Sequence, residues 1–107
     1  MNVITNNNIK CTVALAALQT VTDPEIGLNV VDLGLIYQID FDEASRKIFI
    51  SMTLTTQFCP MGESIMDAVT QAVQSTFTGD EVKVELTFYP AWNHERISEE
   101  GQTFLNK

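Results

Sequence analysis

Leu35-Ile36-Tyr37-Gln38-Ile39-Asp40-Phe41-Asp42-Glu43-Ala44-Ser45-Arg46-Lys47-Ile48-Phe49-Ile50-Ser51-Met52-Thr53-Leu54-Thr55 holds two alternating runs on either side of a polar turn. Successive side chains of a strand point to opposite faces, so alternation marks a strand with one face in a core. In the first run Leu35, Tyr37, Ile39 and Phe41 fall on one side, with Gln38, Asp40 and Asp42 on the other. In the second, Ile48, Ile50, Met52 and Leu54 oppose Phe49, Ser51, Thr53 and Thr55. Asp42-Glu43-Ala44-Ser45 supplies the turn, and the two runs form an antiparallel hairpin.

Downstream of the hairpin the period changes. Residues 61–77 place Met61, Ile65, Val69, Ala72, Val73 and Phe77 on one helical face, with Glu63, Asp67, Thr70, Gln71 and Gln74 opposite. Pro60 suits the first helical position, and Gly79 ends the helix. Val82, Val84, Leu86 and Phe88 then alternate with Lys83, Glu85 and Thr87, which predicts a third strand. In the tail, Ser98-Glu99-Glu100 can start a short helix after a loop.

Upstream, Asn6-Asn7-Asn8 offers capping side chains to a helix over residues 9–21, where Cys11, Ala14, Leu18 and Val21 recur at helical spacing. The stretch from Thr22 to Asn29 contains Pro24 and Gly27 and reads as an ordered loop or turn, with Asp32 an entry residue for the hairpin. The expected architecture is an α+β two-layer sandwich in the order helix-strand-strand-helix-strand plus a short C-terminal helix. A small mixed sheet of three strands is covered by helices, in one domain over residues 1–107.

The formal net charge is −8, and the six basic residues are scattered apart from the Arg46-Lys47 pair, which argues against nucleic acid as a partner. No apolar run approaches the roughly 20 residues that cross a bilayer, and MNVITNNNIK lacks a basic region followed by an apolar one. A cytoplasmic protein with no membrane partner is expected. Two cysteines are too few for a disulfide scaffold, so each needs its own account.

Cys59 follows a strand and directly precedes the proline that opens a helix. Unpaired N–H groups and the positive end of the helix dipole favour thiolate there, the form that binds soft metals and attacks electrophiles. The other reading is a small buried apolar residue, as many free cysteines are. Cys11 lies on the apolar arc of the first helix, and its phase accounts for it. Met61 and Met66 read as packing residues of the second helix. The only histidine, His94, sits in the polar tail with nothing to bring it to a cysteine as a base, and reads as a surface residue. Asp23 and Glu25 flank Pro24, where a carboxylate caps a turn or ligates a metal.

Two blocks, Val21-Thr22-Asp23-Pro24-Glu25-Ile26-Gly27-Leu28-Asn29-Val30-Val31-Asp32-Leu33-Gly34-Leu35-Ile36-Tyr37 and Met52-Thr53-Leu54-Thr55-Thr56-Gln57-Phe58-Cys59-Pro60-Met61, resemble the signatures of the metal-sulfur cluster biosynthesis (SufT/PaaD-like) family. A third, Phe88-Tyr89-Pro90-Ala91-Trp92 followed by Arg96-Ile97-Ser98-Glu99-Glu100-Gly101, resembles that family's ending. Phe58 stands where a small residue often precedes the family's cysteine, and Ala91 where a second proline is common. The resemblance implies an iron-sulfur cluster assembly factor whose site gathers Asp23, Glu25, Thr55, Thr56 and Cys59. It implies iron or an iron-sulfur cluster as a transient cofactor, and the assembly machinery and client apo-proteins as partners.

A cluster usually takes four cysteine thiolates. One well-placed cysteine therefore means a cluster shared with a second subunit, as in a homodimer, or with a client. The alternatives are a docking module built on the Asp-Pro-Glu loop and Trp92, and a thiol-dependent enzyme. The last lacks a recognisable base and a Cys-X-X-Cys pair, so a non-catalytic factor is expected. The hairpin returns the chain to the end where it entered, which should bring Asp23 and Glu25 beside Cys59.

Overall fold

The computed structural model describes residues 3–24, 26–55 and 62–105. Its frame is the expected hairpin, made of β2 (Ile36–Asp42) and β3 (Lys47–Met52), antiparallel across the Asp42–Arg46 turn. Helix α2 (Gly62–Thr76) crosses over to β4 (Glu81–Leu86), which pairs parallel with β3 from Lys47↔Glu81 to Met52↔Leu86. Helix α1 (Asn8–Leu18) precedes the hairpin, and α3 (Glu99–Leu105) closes the tail after a short 3-10 turn at His94–Arg96. Helices α1 and α2 cover the sheet face that carries Ile39, Ile48 and Ile50, all at most 1% exposed. On the uncovered face Phe49 is 44% exposed.

The fold is α+β with a four-stranded mixed sheet in the order β1-β2-β3-β4, one strand more than the alternation predicts. The added strand, β1 (Ile4–Thr5), pairs parallel with Gln38 and Ile39. Two residues show no period, so their pattern is silent. What holds them is Asn6, whose side-chain amide donates to the Phe41 carbonyl and accepts from the Phe41 N–H, both at 2.9 Å, extending the ladder by one side chain. The next residue, Asn7, caps α1 by accepting from the Lys10 N–H at 3.0 Å.

Strand β2 departs from simple alternation. Its register jumps from Ile36↔Met52 to Gln38↔Ser51, so Tyr37 is an extra residue in a β-bulge. The phase shifts by one, and Ile36, not Tyr37, joins Ile39 and Phe41 on the core face. Leu35 lies ahead of the strand, fully buried.

Residues 29–35 form a single helical turn where the sequence suggests only a strand entry. Asn29 Oδ1 accepts from the Val31 and Asp32 N–H groups at 3.0 and 2.9 Å. Gly34, at φ 74, closes the turn: Leu35 N–H reaches the Val30 carbonyl at 3.1 Å and Gly34 N–H the Val31 carbonyl at 3.0 Å. These paired bonds make a Schellman closure, with glycine in its left-handed position.

Leu54 is 6% exposed and Val69 fully buried, facing each other's layers as their phases predict. Leu54→Ala is expected to lower stability by about 2 to 5 kcal/mol and Val69→Ala by somewhat less, because each leaves a hole in close-packed surroundings. Chemical denaturation checks this; an unchanged midpoint in either variant refutes that residue's core role.

Candidate functional site

The tail is fastened to the 29–35 turn by side chains. Ser98 donates from its hydroxyl to Asp32 Oδ1 at 2.9 Å and from its N–H to the Asp32 carbonyl at 2.7 Å. Asn29 Nδ2 donates to the other Asp32 oxygen at 2.7 Å. The Ser98 hydroxyl also accepts from the Gly101 N–H at 3.0 Å, capping α3. The Trp92 indole N–H donates to the Leu33 carbonyl at 2.6 Å, and the Arg96 guanidinium lies over the Tyr37 ring, 4.3 Å from its centroid. Much of the third signature block thus serves to close the fold. Trp92 is half-buried, and the outermost aromatic of that block is Tyr89, 87% exposed.

The loop after α1 is built around Asp23. Its N–H donates to the Leu28 carbonyl at 3.0 Å, and its own carbonyl accepts from Gly27 N–H at 2.7 Å, with Gly27 at φ 83. The Asp23 residue is only 2% exposed, and Val21 and Leu28 beside it are 6% exposed. This loop therefore belongs to the core as well as to the candidate site, and neutralising Asp23 touches both. Thr55 is half-buried at the end of the hairpin, after the fully buried Thr53, whose N–H donates to the Leu35 carbonyl at 2.8 Å.

A groove of about 470 Å³ runs between the segment Thr20 to Pro24 after α1 and the length of α2 from Ser64 to Ser75. Thr22 and Pro24 line one wall, and Ser64, Ile65 and Ala68 the other. The loop holding Asp23 thus faces the helix whose approach contains Cys59. Glu25, Thr56, Cys59, Pro60 and Met61 lie outside the described residues, as does the His94 side chain. Among the described residues, no three of His, Cys, Asp and Glu gather where they could hold a metal ion. Pro24 of the loop and Ser64 and Ile65 of α2 line this one groove, while the expected approach of Asp23 and Glu25 to Cys59 lies outside the described residues.

Cys11 is 5% exposed in the core beside Ala14 and Leu18. Burial pushes its thiol pKa up, and a hydrogen bond with Thr5 only partly offsets that. Cys59, placed by the sequence before a helix start, should react with a thiol reagent at neutral pH clearly faster than Cys11. Equal rates in the folded protein, read by mass mapping of the labelled sites, would contradict that difference.

The sequence profile described as "Iron-sulfur cluster assembly protein" matches residues 12–86, from α1 to the end of β4. The chain is 46% identical over 88 residues to a protein of Porphyromonas gingivalis named Fe-S protein maturation auxiliary factor, covering 82% of this chain and 83% of that one. It is 33% identical over 78 residues to the Staphylococcus aureus Fe-S protein maturation auxiliary factor SufT, covering 73% of this chain and 88% of that one. The fold superposes on a crystal structure of a domain of unknown function, DUF59, from Bacillus anthracis with a TM-score of 0.83 at 32% identity, covering 91% of each chain. No helix among the described residues is long and apolar enough to cross a membrane.

Proposed function

Because this chain belongs to the family of iron-sulfur cluster assembly proteins, we propose that it is a cytoplasmic, non-catalytic maturation factor in which the Cys59 thiolate takes iron or one corner of a cluster in transit. The observation that carries this reading is the groove between the Asp-Pro loop and α2, the helix that follows Cys59 in the chain. Its lining supplies hydroxyls at Thr20, Thr22, Ser64 and Ser75, and in this reading the loop also brings the Glu25 carboxylate toward Cys59. Carboxylates beside a thiolate raise its pKa, against the helix start, unless a cation lies between them. A metal ion as cargo removes that conflict, with Cys59 as its soft ligand and Glu25 near it. Thr55 and Thr56 supply hydroxyl donors to a metal-bound sulfur.

The ligand count sets the mode of action. One thiolate leaves most of a cluster's coordination to be completed by others, so the cargo is held between this chain and a second copy or a client apo-protein. Release then requires only that the client's own cysteines replace Cys59. Anaerobic reconstitution with ferrous iron and sulfide, followed by absorption spectroscopy and native mass measurement, tests this. Less than one cluster per chain, lost on adding an apo-client, is the expected result. Maturation of a client by a chain that binds neither iron nor cluster would favour the second reading, a docking module. The exposure of Tyr89 near the tail is the observation on that side.

A further inference from the structure

Strand β4 ends the sheet, and among the described residues no strand lies beyond it. Its ladder to β3 is regular, and the Glu81 and Thr87 N–H groups donate inward to the Arg46 and Met52 carbonyls, each at 2.8 Å. Backbone groups alternate sides along a strand, so Lys83 and Glu85 also bond inward, while Val82, Val84 and Leu86 present N–H and C=O outward. The same edge leaves apolar surface open. Val84 and Leu86 are only half-buried on the face where Ile50 and Met52, one strand inside, are 1% and 0% exposed.

We propose that this edge pairs antiparallel with the β4 edge of a second copy, about a two-fold axis at Val84, to give one continuous eight-stranded sheet. Hydrogen-bonded pairs must join outward-facing residues on both sides, so the axis falls on a residue and not between two. An axis at Lys83 sets Lys83 against itself and Glu81 against the partner's Glu85. An axis at Glu85 sets that carboxylate against itself, and like charges directly opposite are destabilising. At Val84 the whole strand aligns: Val84 meets its counterpart, Val82 meets the partner's Leu86, and Lys83 meets the partner's Glu85 twice over.

Edge lysines usually blunt a strand against association. Here Lys83 stands between two glutamates, with its present partner Glu81 at 3.2 Å and both side chains 56% exposed. It therefore exchanges one exposed carboxylate for another across the joint. The half-buried Val84 and Leu86 gain cover from the partner's apolar residues, extending the layer that α2 leaves open at the edge. Since β3 runs parallel to β4, Thr55 and its counterpart fall at opposite ends of the joined sheet. The dimer so formed carries two separate candidate sites, which leaves the client to complete each one.

Sedimentation velocity of the metal-free, reduced chain from micromolar to millimolar concentration tests the proposal without reference to Cys59. A monomer–dimer equilibrium is expected. Lys83→Glu should weaken association at least about tenfold, and adding Glu85→Lys to it should restore association, because each pair is then opposite in sign again. In the wild-type chain, amide exchange at Val82, Val84 and Leu86 should slow as concentration rises, while Lys83 and Glu85 stay slow throughout. A monomer across the whole range, a dimer indifferent to the charge reversals, or exchange at those three amides independent of concentration would overturn it.

Discussion

Gly34→Ala is expected to lower stability by about 3 kcal/mol or more, the sum of a left-handed backbone forced on a residue with a Cβ and a steric clash. Gly34 sits at φ 74, and a Cβ there would run into the Arg96 carbonyl oxygen and lie 2.7 Å from the Arg96 Cβ. Neither side can yield easily. The glycine side is tied by the Schellman bonds to Val30 and Val31. The Arg96 side is tied by Ser98 to Asp32, by Trp92 to Leu33, and by the burial of Ile97. Gly27 provides the control, since it has φ 83 but nothing within 4 Å of a built Cβ. Gly27→Ala should therefore show the backbone cost alone, about 1 to 2 kcal/mol. Urea unfolding followed by far-ultraviolet circular dichroism and by the fluorescence of the single tryptophan, Trp92, separates loss of the tail from loss of the fold. Equal stability of the two variants would show that the tail is not seated against Gly34.

The contrast between Gly27 and Gly34 also marks how far the sequence could be read. Period two and period 3.6 identify β2, β3, α2 and β4, because each places several apolar residues on one face and the error of any single one is averaged out. The bulge at Tyr37 escapes that average. Leu35, Ile36 and Tyr37 are consecutive apolar residues, so either phase fits until the partner strand chooses one. The turn at 29–35 is too short to show a helical period, and its signals were instead the capping Asn29 and the glycine five residues later. The tail fails to read as core for a related reason. Its anchors are polar, Ser98 and the Trp92 N–H, and their partners Asp32 and Leu33 are far away in sequence. Asp23 was legible as a turn residue, but its burial was not, because it depends on Leu28 and Val21 closing around the loop. At the candidate site, a groove lined by both Pro24 and Ser64 accords with a hairpin that returns the chain to the end where it entered, whereas the Cys59 environment lies outside the described residues.

Cys59→Ser is expected to remove iron and cluster binding and the maturation of clients while leaving the fold intact. Serine keeps the shape of cysteine, but its hydroxyl stays protonated near neutral pH, so the soft anionic donor is gone. If Cys59 is a working thiolate at the surface of a loop, the change should shift stability by no more than about 0.5 kcal/mol. Cys11→Ser supplies the opposite case. Cys11 is packed in the core at 5% exposure, and placing a hydroxyl there should cost about 1 to 3 kcal/mol while leaving cluster handling unchanged. The two variants therefore move different readouts: one moves iron content and client maturation, the other the unfolding midpoint. Reconstitution and denaturation of both, run side by side, decide the role of Cys59. Wild-type iron binding and client maturation in Cys59→Ser would transfer the function to a docking surface. A large loss of stability in the same variant would make Cys59 a core residue like Cys11.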